Sequence, residues 1–323
     1  MTTGIHILEI EITSRCNLNC PQCYNRGFGI VDLKIQKIIE LINLWAKEKI
    51  FRLVITGGEP ILHPKFDEIA MFIKKTKKEN KNLGQVVLQT NGLLIQNVSP
   101  ENLSVFDIFH LSVDIKEGPR EKIAPISKRI EFLKKHGLSV YLFGTIHKGN
   151  INSIEKMISL AKRNGVKIGF NILIPNERCE KLSFSPQEYL VVLKKLWDFY
   201  RKGLILRPSC PLMALFDKKK RRKKYTGNLG GCTAGIASVV VDFKGDVLPC
   251  PFFRISGGNI YKDDFLKIWF RSKIFNQLRD RSKFQFPCGK CEKLSFCGGC
   301  RSRAYQLGKS LTAADPFCPF LNK

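Results

Sequence analysis

Cys16-Asn17-Leu18-Asn19-Cys20-Pro21-Gln22-Cys23-Tyr24 sets three thiols inside eight residues, directly after a β-rich run over 6–13. Thiolates this close together can wrap one face of an iron–sulfur cube, but three of them cannot ligate four irons. One iron then keeps an open coordination position, and an open position implies chemistry. Zinc is the competing metal for such a loop, yet structural zinc takes four protein ligands and no fourth Cys or His lies nearby in the sequence.

Outward from this loop, short β-rich runs alternate with helical patterns. Strands are predicted over 6–13, 51–56, 85–89, 108–114, 139–145 and 167–174. Between them, 34–49, 66–78, 122–135, 154–163 and 187–200 carry apolar residues at three- and four-residue spacing, as amphipathic helices do. Alternation of this kind builds parallel strands joined by crossover helices, so the fold class is α/β, a partial (β/α)6 barrel of the TIM type. The cysteine loop would sit at the C-terminal end of the first strand, where barrel active sites are built. After Leu204 the composition shifts to Gly, Pro and Cys, and helical periodicity survives only around 265–279. The barrel is therefore expected over 1–205 and a small cysteine-rich domain over 206–323.

No basic segment with an apolar stretch and a cleavage site precedes Glu9, and no apolar run approaches the ~20 residues that span a bilayer. A cytoplasmic protein without a membrane span is expected. The cytosol keeps thiols reduced, so the twelve cysteines of this chain point to metal or catalysis rather than disulfides. The formal net charge is +26. Such a surface attracts nucleic acid, acidic peptides or carboxylated small molecules, and equally accompanies a Lys-rich composition with no ligand at all. The run KKKRRKK over 218–224 reads as a solvated loop or, less simply, as a phosphate contact.

The cysteine loop resembles that of the radical S-adenosylmethionine (SAM) superfamily, in which C-x3-C-x2-C followed by an aromatic residue, here Tyr24, binds a catalytic [4Fe-4S] cluster. SAM chelates the fourth iron in that family. A second feature agrees: the strand over 51–56 runs into Gly57-Gly58-Glu59-Pro60. Glycines permit close backbone approach and offer unpaired N–H groups, while Glu59 offers a carboxylate to an ammonium. In the family this stretch contacts the amino group of SAM. Asn91 in Thr90-Asn91-Gly92, Ser112 and Asp114 in Ser112-Val113-Asp114, and Asn171 end later strands. The resemblance aims them at SAM; ordinary strand-end polar residues are the alternative.

Seven cysteines follow between Cys232 and Cys318, with a hairpin turn expected at Lys244-Gly245-Asp246 that returns Cys250 towards Cys232. Their order resembles the SPASM extension of radical SAM enzymes, which carries up to two auxiliary [4Fe-4S] clusters. The resemblance implies Cys288, Cys291, Cys297 and Cys318 for one cluster, and Cys232, Cys250 and Cys300 for the other. Cys297 and Cys300 enclose two residues where the family usually has three. The fourth ligand of the second cluster is Cys210, an open iron that binds substrate, or neither, with Cys210 inert. Cys179, past the sixth strand, is a catalytic hydrogen-atom donor if it faces a substrate, and otherwise a loop cysteine. A zinc ribbon is the competing reading for the C-terminal group.

The implied reaction is reductive cleavage of SAM to a 5′-deoxyadenosyl radical that abstracts a substrate hydrogen, with a reductant such as ferredoxin or flavodoxin. SPASM enzymes commonly modify peptides or proteins, so the leading expectation is an enzyme that matures a ribosomal peptide or protein. No leader-recognition domain is expected before the barrel. Tetrapyrrole side-chain chemistry, as in haem or haem d1 biosynthesis, is the rival, because Cys297-Gly-Gly-Cys300-Arg-Ser-Arg-Ala-Tyr305 resembles those enzymes too. A basic, non-catalytic metal-ribbon protein that binds RNA ranks third; it predicts zinc and salt-sensitive affinity. Changing Cys16, Cys20 and Cys23 together to Ala is expected to abolish SAM cleavage while auxiliary iron stays bound. Retained formation of 5′-deoxyadenosine would overturn the assignment.

Overall fold

Alternating apolar side chains make β1 (Ile7–Glu11) a strand with two unlike faces: Leu8 and Ile10 are fully buried on one, and Glu9 and Glu11 lie on the other. The computed structural model describes residues 4–25, 27–115, 124–176, 178–216, 231–308 and 310–321. The basic run over 218–224 lies outside them. Parallel to β1 run β2 (Arg52–Thr56), β3 (Gln85–Thr90), β4 (Ile108–Ser112), β5 (Val140–Ile146) and β6 (Lys167–Ile172). The crossovers are α1 (Ile35–Lys47), α2 (Phe66–Glu79), α3 (Pro100–Leu103), α4 (Ala124–Lys135) and α5 (Ile154–Arg163), and α6 (Pro186–Arg201) follows β6. Each expected strand and helix is present within a few residues of its expected limits.

The helices exist to cover the outer face of the sheet. In α1, Ile38, Leu41, Ile42 and Trp45 are buried at the three- and four-residue spacing of one helical face. In α6, Tyr189, Val192, Leu193 and Leu196 repeat that spacing. Ser185 and Glu188 form a reciprocal cap at its start, with Pro186 in the first turn. The inner face is more polar. Val54, Val87 and Ile108, with Ile7 and Tyr141, plug its lower end. On the same face Glu9 and Glu11 follow Ile7 along β1, opposite Val54 and Thr56, while His110 lies opposite Tyr141 and Asn171, near the end of β6, opposite Thr145.

The sheet has eight strands in the order β6-β5-β4-β3-β2-β1-β7-β8. The expected hairpin forms from β7 (Ser238–Val241) and β8 (Val247–Leu248), turning through Gly245 at φ +81°. β7 then pairs in parallel with the free edge of β1, Ile7 opposite Ser238 and Ile10 opposite Val241. The cysteine-rich region is thus hydrogen-bonded into the barrel sheet, a pairing between segments too far apart for local patterns to reveal. The periodic stretch over 265–279 forms two helices, α7 (Phe265–Arg271) and α8 (Lys273–Arg279), parted by extended Ser272. Positions six apart on one helix point about 240° from each other. The break brings the rings of Trp269 and Phe275 within 5.2 Å. A last helix, α9 (Arg301–Gly308), follows the final closely spaced cysteines. Among the described residues no helix is long and apolar enough to cross a membrane.

Candidate active site

The chain leaving β1 and the chain leaving β2 touch backbone to backbone. Gly58 N–H donates to Thr13 O at 2.7 Å and Glu59 N–H to Arg15 O at 2.6 Å. A Cβ at Gly57 would lie 2.4 Å from Thr13 O, and one at Gly58 2.2 Å from Arg15 O. The two glycines therefore serve close approach to the protein's own loop, and the Gly58 N–H expected to be unpaired is paired. Glu59 is fully buried. Burial pushes its pKa up, against the bonds its oxygens accept from Thr90 Oγ1 at 2.6 Å and from Asn91 N–H at 2.9 Å.

The bond to Asn91 positions one of the two residues that grip the cysteine loop. Asn91 Nδ2 donates to Asn17 Oδ1 at 2.8 Å, between the first two thiols. Gln22 Nε2 donates to Asp114 Oδ2 at 2.8 Å, between the last two. Asp114 also accepts from Asn150 Nδ2 at 2.9 Å. Burial alone would raise its pKa, but the His147 ring, with Nε2 3.9 Å from Oδ2, and the hydrogen bonds from Asn150 and Gln22 outweigh it and hold the carboxylate ionised. Ser112 is exposed at the end of β4, outside this network. Cys16, Cys20 and Cys23 line one cavity of about 420 Å³ together with Arg15 and Gly58.

The far end of the loop is tied to the C-terminal region. Arg254 Nη1 and Nη2 reach the two oxygens of fully buried Glu11 at 2.8 and 3.1 Å, and Nη2 also donates to Asn25 Oδ1. The guanidinium lies 5.2 Å from the centre of the Tyr24 ring, which meets Phe252 edge-on at 5.0 Å. Here opens a cavity of about 920 Å³, walled by Cys23, Tyr24, Phe28, Arg178, Phe252 and Tyr305 among others. Arg178 and Glu180 line it, but Cys179 between them does not. Its thiol is buried, 3.8 Å from Asn176 O and 3.9 Å from Ile174 O.

The remaining thiols divide between two further cavities. Cys288, Cys291, Cys297 and Cys318 line one. Cys210, Cys232, Cys250 and Cys300 line the other, with Glu9 and Asn171. Asn171 accepts from Ser209 Oγ at 2.7 Å, so it sits beside this second group and not beside the first cysteine loop. Gly298 and Gly299, at φ +65° and +60°, turn the chain so that Cys297 faces one cavity and Cys300 the other. Among the described residues no three His, Cys, Asp or Glu converge on a single-ion site. Thiols spread in threes and fours around cavities fit clusters of several irons.

The model of the radical SAM superfamily matches residues 10–182, and that of an iron–sulfur cluster-binding domain, SPASM, matches residues 232–300. This chain belongs to the radical SAM superfamily. The radical SAM chain is 27% identical to an AdoMet-dependent heme synthase of Methanosarcina barkeri, over 98% of its own length and 97% of the relative's. It is also 27% identical to AlbA, the antilisterial bacteriocin subtilosin biosynthesis protein of Bacillus subtilis, over 93% of this chain and 68% of that one. Its fold is shared with SuiB of Streptococcus suis bound to S-adenosylmethionine, at a TM-score of 0.75 and 17% identity, covering 98% of this chain and 77% of that one.

Glu9, Glu11, Arg254, Tyr189 and Arg303 escaped the motif reading. The available signal was Glu9 and Glu11 on one face of an otherwise apolar strand, which marks a barrel interior that buries charge. Glu9 is partly buried, and burial with the neighbouring Glu11 pushes its pKa up to about 8 against the pull of Arg254. The folded chain thus keeps a proton that the unfolded chain releases near 4.5, so stability falls as pH rises from 4.5 towards 8. Glu9→Gln is expected to raise the melting temperature at pH 8 and leave it nearly unchanged at pH 4.5; an equal change at both would refute the shift. Gly58→Ala is expected to cost about 1–3 kcal/mol in denaturant unfolding by driving a Cβ into the Arg15 carbonyl. An unchanged unfolding midpoint would mean the loop is not held there.

Proposed function

We propose that this radical SAM enzyme matures a ribosomal peptide or protein. Cys16, Cys20 and Cys23 would hold the catalytic [4Fe-4S] cluster, and their shared cavity supports this. With cluster and SAM bound, the cofactors supply reductive cleavage and a 5′-deoxyadenosyl radical that abstracts a substrate hydrogen. The chain's own part is positional. Asn91, Asp114 and the Gly57–Glu59 turn fix the cysteine loop, and Tyr24, Phe28, Phe252 and Tyr305 line the space that begins at Cys23. Cys288, Cys291, Cys297 and Cys318 would hold one auxiliary cluster, and Cys232, Cys250 and Cys300 a second, with Cys210 as fourth ligand.

The observation that carries the substrate reading is the cavity of about 920 Å³ that begins at Cys23 and is lined on another side by the C-terminal region. It admits a side chain with flanking backbone, and its mix of aromatic rings with Arg178, Asn176 and Ser183 offers both apolar and hydrogen-bonding contacts. AlbA, named for bacteriocin biosynthesis, is consistent with such a substrate. A second reading, tetrapyrrole chemistry, draws on the end-to-end match to the heme synthase and on aromatic walls that would accept a flat ring. The electron source in either case would be a ferredoxin or flavodoxin in the cytoplasm, where thiols stay reduced.

Anaerobic reconstitution with iron and sulfide, then a dithionite-driven assay, tests the proposal. About eight to twelve irons per chain with 5′-deoxyadenosine formation is the expected result. A mass change on a candidate peptide supports maturation, whereas turnover of an added porphyrin selects the second reading. Zinc without cleavage would overturn both and leave the RNA-binding ribbon.

A further inference from the structure

The Cys210 thiol faces the cavity it shares with Cys232, Cys250 and Cys300, and two side chains donate to its sulfur. The Tyr189 hydroxyl lies 3.2 Å from Sγ, and Arg303 Nη2 lies 3.9 Å from the same atom. Both donors are buried, Tyr189 to 2% exposure and Arg303 to 1%. A neutral thiol is a weak acceptor. A buried cation and a phenol aimed at one sulfur suit a sulfur that carries negative charge.

Each donor is held in place by a separate part of the fold. Tyr189 stands in the first turn of α6, next to the Ser185–Glu188 cap. Arg303 stands on α9, where its Nε and Nη2 reach the two oxygens of fully buried Asp315 at 2.9 and 2.6 Å. Its guanidinium covers the Tyr189 ring at 4.4 Å and the Phe317 ring at 5.1 Å. Asp315 also accepts from Cys300 N–H at 2.8 Å, which ties the ion pair to the segment that supplies another thiol of the same cavity. Barrel helix and C-terminal helix thus meet at one sulfur.

We propose that Tyr189 and Arg303 are positioning residues that raise the reduction potential of the auxiliary cluster at Cys210, an inference that rests on Cys210 being a ligand. Reduction spreads added negative charge onto the ligand sulfurs, so donors to a sulfur stabilise the reduced form more than the oxidised one. The pair would bias this cluster towards taking up an electron relative to the same cluster without them.

Tyr189→Phe removes one donor while keeping the ring under Arg303, and the full-length, anaerobically reconstituted chain can be titrated electrochemically with detection by electron paramagnetic resonance. The expected result is a shift of one auxiliary signal to more negative potential, with iron content and the other signals unchanged. Unchanged potentials at full iron content would sink the inference. Should this variant lose iron, Arg303→Lys, which keeps a positive charge and the phenol, is read in the same way. Cys210→Ala separates the two claims. If it alters an auxiliary signal while Tyr189→Phe shifts nothing, the tuning role fails alone; if it leaves every signal in place, the ligand assignment fails and the tuning role with it.

Discussion

β1 is hydrogen-bonded along both edges, to β2 and to β7, and the site is positioned from it. Outward, Leu8 and Ile10 enter the helix-covered core; inward, Glu9 and Glu11 face the barrel interior. A slip of one residue would reverse both faces, placing two carboxyls in the apolar layer, so the register is firmly held. The pair of fully buried Glu11 with partly buried Arg254 then fastens the C-terminal region to this strand. Removing Arg254 would leave the fully buried Glu11 carboxylate without its cation; a fully buried pair broken in this way costs about 3–5 kcal/mol. An exposed pair such as Lys65–Glu68 contributes only about 0–1 kcal/mol. The interior pairs, and not the many surface ones, hold the cysteine regions in register with each other.

The same economy of space governs the loops that carry the thiols. The Gly57–Gly58 turn lies against Thr13–Arg15 with no room for a side chain, and Gly231 lies against Cys297, where a Cβ would come 2.0 Å from its carbonyl oxygen. Cys232 N–H donates to that same carbonyl at 3.1 Å. Loops packed this closely present their cysteines in fixed directions without help from long elements. Rigidity of this kind suits sites that must keep a reactive centre oriented while water is excluded.

Much of the fold was legible in sequence because it is written in local periodicity: six strands, every helix around them except the single turn of α3, and the hairpin turn at Gly245 all follow from local patterns. The cysteine loop and the Gly-Gly-Glu-Pro turn were legible for the same reason, being contiguous. What escaped was non-local. The pairing of β7 with β1 joins residues more than two hundred positions apart, and Arg254 meets Glu11 across a similar separation. Nor does spacing reveal direction: Cys179 was placed correctly beyond β6, but whether its thiol faces the cavity or the backbone depends on the loop's packing.

By itself the sequence determined that this is a barrel with three thiols at the end of its first strand, since donor chemistry and side-chain period are properties of adjacent residues. Tertiary structure decided which thiols keep company. Cys297 and Cys300 are three positions apart yet line different cavities, while Cys210 and Cys300 are ninety apart and share one. The reason is physical: two left-handed glycines turn the chain between the first pair, and beside the second pair Tyr189 of α6 and Arg303 of α9, more than a hundred positions apart, stack on each other and both reach the Cys210 sulfur.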